Sequence, residues 1–184
     1  TTTVIASDNN ILELLQLVFH DELFRVYISE DVIGVELGGS LKNIIAFSAG
    51  VADYLKFGNN SKAAIITRGL AEITRLAVAA GADSITLQGL SGMGDVIATS
   101  YSQLSRNRML GEIIASGKSL DDAIREIDGV SESIVTVKAT LILAEKYGVD
   151  MPITRSIDGI LHEGKDAKKS IAELLAREPK TEIY

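Results

Sequence analysis

Apolar positions change their spacing along this chain, and the change divides it in two. β-Branched residues from Thr3 to Ala6 run into Ser7-Asp8, which suits a helix cap, and residues 11–19 repeat their apolar positions at helical spacing. Phe24-Arg25-Val26-Tyr27-Ile28 then alternates as a strand does. Strand, helix and strand in about thirty residues make the minimum of a βαβ unit. Two strands alone do not make a stable sheet, so residues 1–34 are expected to belong with further strands.

From Val35 onward nearly everything reads as helix. Residues 35–55 and 61–80 are almost continuous in apolar and small side chains, and Gly81 stops the second run. A short helix is expected from Asp95, and another over 105–116 before Gly117. Ser119-x-x-Asp122 resembles a capping box opening 120–127. Residues 134–147 end at Gly148, 153–162 follow Pro152 and end at Gly164, and Asp166 caps 167–177. The expected architecture is mainly α: a helical domain over 35–184 behind the tail of an α/β domain over 1–34.

Composition narrows the picture. With 184 residues, 46% of them hydrophobic, the chain can bury a full core, and 23% charged residues without low-complexity tracts argue against disorder. A net charge of −7 argues against a broad nucleic-acid surface, yet leaves room for one small anion held by a local arginine cluster. The absence of cysteine excludes disulfides and thiolate metal sites, and His20 and His162 lack metal-ligand spacing, so no metal is expected. The start has no basic signal-peptide region, and the longest apolar stretch, 44–52, is interrupted by Ser48 and Gly50 and too short to span a bilayer. A cytoplasmic protein with no integral membrane segment is therefore expected, with a homodimer left open. The chain opens on Thr rather than Met, with a strand within a few residues, as a fragment or a processed chain would.

Lys42 is the first candidate for chemistry. At helical spacing its neighbours are Gly38, Gly39, Ile45 and Ala46, an apolar and glycine-lined face on which an ammonium is costly. Such a lysine acts as a general acid or base, or lays its stem along the helix with its head in water. Arg68, Glu72 and Arg75 form a stripe read as an intrahelical ion-pair ladder. Gly89-Leu-Ser-Gly92-Met-Gly94-Asp95 imitates a dinucleotide loop only in part, because Ile97 stands where a third glycine or alanine belongs and no strand feeds it. Its expected use is to bring backbone near a ligand and to set Asp95 at a helix start, with Thr99 and Ser102 on the same face. Ser105-Arg106-Asn107-Arg108 joins a hydroxyl, an amide and two guanidiniums at a helix N-terminus, the strongest local signal for an anion. His20 and His162 are read as partners of helix C-termini.

Five blocks in order carry a resemblance: Gly34-Val-Glu-Leu-Gly-Gly-Ser-Leu-Lys42-Asn43, Ile66-Thr-Arg-Gly-Leu-Ala-Glu72, Gly92-Met-Gly-Asp95 with Thr99, Leu104-Ser-Arg-Asn-Arg108, and Met151-Pro-Ile-Thr154. Together they resemble the NAD(P)-dependent glycerol-3-phosphate dehydrogenases from about residue 32 to 169. The resemblance implies a multi-helix substrate domain, like the C-terminal domain of 6-phosphogluconate dehydrogenase, preceded by a β-α-β remnant of a Rossmann domain. It implies reversible reduction of dihydroxyacetone phosphate to sn-glycerol 3-phosphate by NADH or NADPH, for glycerophospholipid synthesis. By the same resemblance Lys42 is the catalytic lysine, and Lys42, Asn43, Asp95, Thr99, Ser105, Arg106 and Asn107 bind the small phosphate substrate. Arg106, Val130 and Glu132 would contact the cofactor, NAD or NADP, whose main binding domain is missing as a partner. The sequence departs from the family at Val130-Ser131-Glu132-Ser133, where the usual pattern is Val-Val-Glu-Gly. Two other readings are a related hydroxyacid or keto-acid reductase with a catalytic lysine, and a structural helical module that dimerises.

Overall fold

The computed structural model of the chain describes residues 2–127, 129 and 131–178. Asp8 caps the first helix, α1 (Asn9–Phe19), by accepting the N–H of Asn10 at 2.8 Å. β1 (Thr2–Ile5) and β2 (Val26–Ser29) flank it and pair in parallel, Thr2 against Val26 through Ile5 against Ser29. The expected strand–helix–strand unit is thus present. His20 plays another part than the one expected: its Nδ1 accepts the N–H of Val26 at 3.1 Å, which ties the end of α1 to β2.

α2 (Val32–Tyr54) starts earlier than residue 35 because Asp31 caps it, accepting the N–H of Gly34 at 2.8 Å. The other oxygen of Asp31 accepts the N–H of Asp83, and Asp83 in turn caps a one-turn helix, α4 (Ser84–Gln88), that the sequence pattern did not reveal. Between them runs α3 (Gly58–Ala79). A π-helical turn, Leu90–Gly94, feeds directly into α5 (Asp95–Tyr101). There follow α6 (Arg106–Ala115), α7 (Leu120–Glu126), α8 (Ser133–Tyr147), α9 (Pro152–His162) and α10 (Ala167–Leu175). The expected caps hold: Ser119 Oγ accepts the N–H of Asp122, Asp166 accepts that of Lys169, and Gly148 closes α8 in the left-handed region at φ +66°. His162 pairs with Asp158 one turn back, 2.8 Å apart, as well as lying in the last turn of α9.

α2 is the axis of the bundle. Residues 43–52 are all buried, and α3, α5, α6 and α8 pack around them. By length and composition α2 is the one helix among the described residues apolar enough to cross a membrane, and its neighbours bury 56% of that apolar stretch. α6 crosses α2 almost backbone on backbone: a methyl on Gly50 would overlap the carbonyl oxygen of Arg108, and one on Gly111 that of Phe47. Neither obstacle is a movable side chain, so the two glycines set how closely the helices approach.

Glu72 has partners beyond the ladder read from the sequence. It is only 3% exposed, and its oxygens accept the N–H of Ile153 at 2.6 Å and the N–H and hydroxyl of Thr154 at 3.3 Å. Pro152 opens α9 and its predecessor Met151 offers no side-chain cap, so Glu72 caps that helix from across the bundle. Arg75 contributes its field to the carboxylate, and its Nη2 donates to the carbonyl of Asp150 at 3.3 Å. Burial pushes Glu72 up to about 7, against the pull of the Ile153 and Thr154 hydrogen bonds and of Arg75.

Two outcomes follow for the stability of the protein. Gly111→Ala should destabilise by about 2 kcal/mol or more in urea unfolding despite alanine's ~1 kcal/mol helix advantage; unchanged stability would show that the helices do not meet there. A carboxyl whose folded value lies near 7, against 4.5 ordinarily, binds a proton in the folded state that the unfolded state has released. Stability should therefore fall as pH rises from about 4.5 to about 7, by an amount on the order of 3 kcal/mol, and Glu72→Gln should flatten that slope.

Candidate functional site

Lys42 lies on α2 just before the fully buried stretch, with its side chain 23% exposed. The apolar-face reading is modified here, because the ammonium has a counterion: Asp95 Oδ2 lies 2.5 Å from Lys42 Nζ. Asp95 is the first residue of α5, and its second oxygen accepts the Thr99 hydroxyl at 3.3 Å from the next turn. The π-helical turn ahead of it is what carries Asp95 to α2. That turn needs its glycines for packing: a methyl on Gly92 would overlap the backbone of Leu87, and one on Gly38 of α2 would collide with the carbonyl of Ser91. Gly38 therefore seats the turn and leaves no space for a ligand, whereas Gly39 does face open space. Ser102 ends α5, and its hydroxyl accepts the N–H of Leu104 in the following bend.

Asn43, next to Lys42, is 3% exposed and donates its amide N–H to Glu132 Oε2 at 2.6 Å. Glu132 stands between Ser131 and Ser133, and both of these hold Asn107. The Ser131 hydroxyl and the Ser133 N–H donate to Asn107 Oδ1 at 2.7 and 2.9 Å. Asn107 is the second residue of α6, and exposed Arg106 precedes it beside Gly129. Two side-chain hydrogen bonds, Asn43 to Glu132 and Ser131 to Asn107, thereby join the part of α2 that carries Lys42 to the start of α6 that carries Arg106.

Ser105 and Arg108 also have partners within the fold. Ser105 is the N-cap of α6, its hydroxyl accepting the N–H of Arg108 at 3.3 Å. Arg108 turns to the far end of α2, where its Nε and Nη2 lie 2.8 and 2.7 Å from Asp53 Oδ2, and it also pairs with Glu112. Lys62 donates to the same Asp53 oxygen at 2.7 Å. Burial alone would raise the Asp53 carboxyl, but hydrogen bonds from Lys62 and Arg108 hold it below the ordinary range. Arg108 is thus a structural cation, and Arg106 carries the anion signal alone. Val130 lies outside the described residues. The pattern gave no sign that Ser131 and Ser133 would grip Asn107, because their contacts span 24 and 26 residues.

Elsewhere on the molecule, a cleft of about 700 Å³ opens between α2, α3, α9 and α10, lined by Phe47, Val51, Ile65 and Ile157 with Glu72 at its wall. None of the sequence-predicted site residues borders it. No cluster of potential metal ligands exists among the described residues.

Residues 31–172 match the model of the family described as NAD-dependent glycerol-3-phosphate dehydrogenase C-terminus. The chain is 50% identical over 184 residues to the glycerol-3-phosphate dehydrogenase [NAD(P)+] of Prosthecochloris aestuarii, covering 99% of this chain and 55% of that protein. To the protein of the same name from Thermoanaerobacter sp. it is 51% identical, covering 100% of this chain and 56% of that one. The crystal structure of the Coxiella burnetii glycerol-3-phosphate dehydrogenase superposes with a TM-score of 0.92 at 38% identity, over 96% of this chain and 55% of that one. The chain spans about half the length of the curated relatives it matches. On the family match, the identity and the shared fold, this chain belongs to the NAD-dependent glycerol-3-phosphate dehydrogenase family, in the family's C-terminal portion.

Proposed function

We propose that the protein carrying this chain is a soluble, cytoplasmic glycerol-3-phosphate dehydrogenase, which reversibly reduces dihydroxyacetone phosphate to sn-glycerol 3-phosphate and feeds glycerophospholipid synthesis. The observation that supports it most is the Lys42–Asp95 pair on the stretch of α2 that Asn43 and Glu132 tie to the 131–133 segment, which also holds Asn107 next to exposed Arg106. Residues 35–184 serve as the substrate-binding catalytic domain, and residues 1–34 as the tail of the cofactor domain. A parallel two-stranded sheet with Leu17 79% and Leu23 96% exposed suits a piece of a larger sheet domain.

Lys42 delivers the proton to the C2 oxygen of the substrate, and its positive charge stabilises the negative charge that grows there. In the reverse direction the same amine takes the proton back. Asp95 holds the ammonium in place, and Thr99 fixes the second oxygen of Asp95. Arg106 grips the phosphate at the start of α6, where the helix dipole favours an anion. Asn43 and Asn107 offer amide groups whose orientation is set by their partners. Holding the phosphate at one end and the carbonyl at the other converts encounter into alignment.

An exposed guanidinium on Arg106 and an exposed carboxylate on Glu132 suit the phosphate and hydroxyl groups of a dinucleotide, so both fit as contacts to NAD or NADP. The bound nicotinamide supplies the hydride. The main cradle for the pyrophosphate belongs to the cofactor domain, so residues 1–184 alone are expected to be nearly inactive.

In the full-length enzyme, Lys42→Ala should lower kcat for dihydroxyacetone phosphate by roughly 10²- to 10⁴-fold with little change in substrate affinity. Near-normal turnover in steady-state assays would remove Lys42 from this role. Arg106→Ala should raise the apparent KM roughly ten- to hundred-fold, as loss of a charge-assisted contact does. An unchanged KM, or equal turnover of unphosphorylated 2-keto acids, would count against the phosphate site.

A further inference from the structure

Gly129 and residues 131–133 touch three different side chains of the candidate site, and each contact has a distinct character. Gly129 adopts φ +101°, and a methyl there would sit 2.7 Å from Arg106 Nη1 and 3.6 Å from its Cδ. The guanidinium of Arg106 thus lies against the backbone at Gly129, whose positive φ favours glycine. Ser131 and Ser133 come next. Their hydroxyl and N–H converge on one atom of Asn107, and the N–H of Ser133 can only donate, so the atom must be the amide oxygen. Asn107 therefore has its carbonyl edge fixed against the strap and its NH₂ edge turned away from it. Ser131, Ser133 and Asn107 are 4%, 0% and 8% exposed, so water does not compete for these bonds. Glu132, between the two serines, takes the amide N–H of Asn43 on the facing helix α2.

We propose that Gly129 and residues 131–133 form a positioning strap, which seats Arg106 and fixes the amides of Asn107 and Asn43 as one unit. Glu132 braces Asn43 on α2 while the flanking serines brace Asn107 on α6, so the strap joins the two helices at the end that carries Lys42 and Arg106. Ser131, Glu132 and Ser133 are consecutive, so their contacts cannot shift independently. Ser131 and Gly129 are then positioning residues, acting on the substrate through Asn107 and Arg106. The proposal rests on the dehydrogenase reading given above.

The test uses the full-length enzyme with dihydroxyacetone phosphate and NADH or NADPH. Ser131→Ala should raise KM for dihydroxyacetone phosphate roughly three- to ten-fold, the worth of one buried hydrogen bond, with kcat changed less than about two-fold. The same substitution in an Asn107→Ala background should add nothing further, since its effect passes through that amide. Gly129→Ala adds the strain of a positive φ to any push on Arg106, so its rise in KM counts for the strap only where it adds nothing in an Arg106→Ala background. If the unsubstituted enzyme does not turn over dihydroxyacetone phosphate, the dehydrogenase reading falls and the strap with it. If the enzyme is active but both substitutions leave KM within two-fold, or multiply the effects of Asn107→Ala and Arg106→Ala in full, the strap alone is overturned.

Discussion

The close crossing of α2 and α6 at Gly50 and Gly111 is the constraint on which the rest of the site depends. Lys42 and Asn43 belong to α2, and Arg106 and Asn107 to α6, so the separation of the two pairs is the separation of the helices propagated along their length. A backbone-on-backbone contact leaves little latitude, because peptide groups do not change rotamer as side chains do. The charge network of Asp53, Lys62, Arg108 and Glu112 pins one end of this crossing, and the 131–133 stretch pins the end that carries Lys42 and Arg106. The core and the site are thus one arrangement, with α2 supplying its buried half to the first and its partly exposed half to the second.

Lys42 shows how tertiary partners complete a local signal. Glycines on its face promised an amine set among apolar groups, and an apolar setting alone would be costly for an ammonium. The fold instead supplies a carboxylate 53 residues away, delivered by the π-helical turn packed on Gly38. Pairing with Asp95 restrains the long lysine side chain, which would otherwise lose much rotamer freedom on meeting a substrate. The glycines on this face divide the work, Gly38 admitting the turn and Gly39 leaving an open approach.

What the sequence makes legible is local. Caps at Asp8, Ser105, Ser119 and Asp166, the closing Gly148 and the long apolar runs all depend on groups within a few residues, and those elements lie where the pattern puts them. The reading fails where the decisive partner is distant. Glu72 reads as one rung of an intrahelical ladder because its neighbours on α3 are arginines, while its hydrogen bonds reach the start of α9 more than 80 residues on. α4 and the π-helical turn escape notice because one turn of helix gives no periodicity, and glycine-rich segments read as loops. The resemblance to a family singles out Lys42, Asp95 and Arg106, but a family pattern gives no hint of the serine contacts at 131 and 133, where this chain departs from it.

The fate of the two arginines at the start of α6 follows from helix geometry. Residues two apart on an α-helix project about 200° from one another, so Arg106 and Arg108 cannot both face one small anion while the helix remains intact. Asn107 between them is buried against the 131–133 stretch, which fixes the rotation of the helix and so decides which arginine faces the strap. Arg108 is then directed at Asp53 on α2, and Arg106 is left exposed beside Gly129. A cluster that reads in sequence as two guanidiniums for one phosphate is, once wound into a helix, one guanidinium left exposed and one bound into the fold.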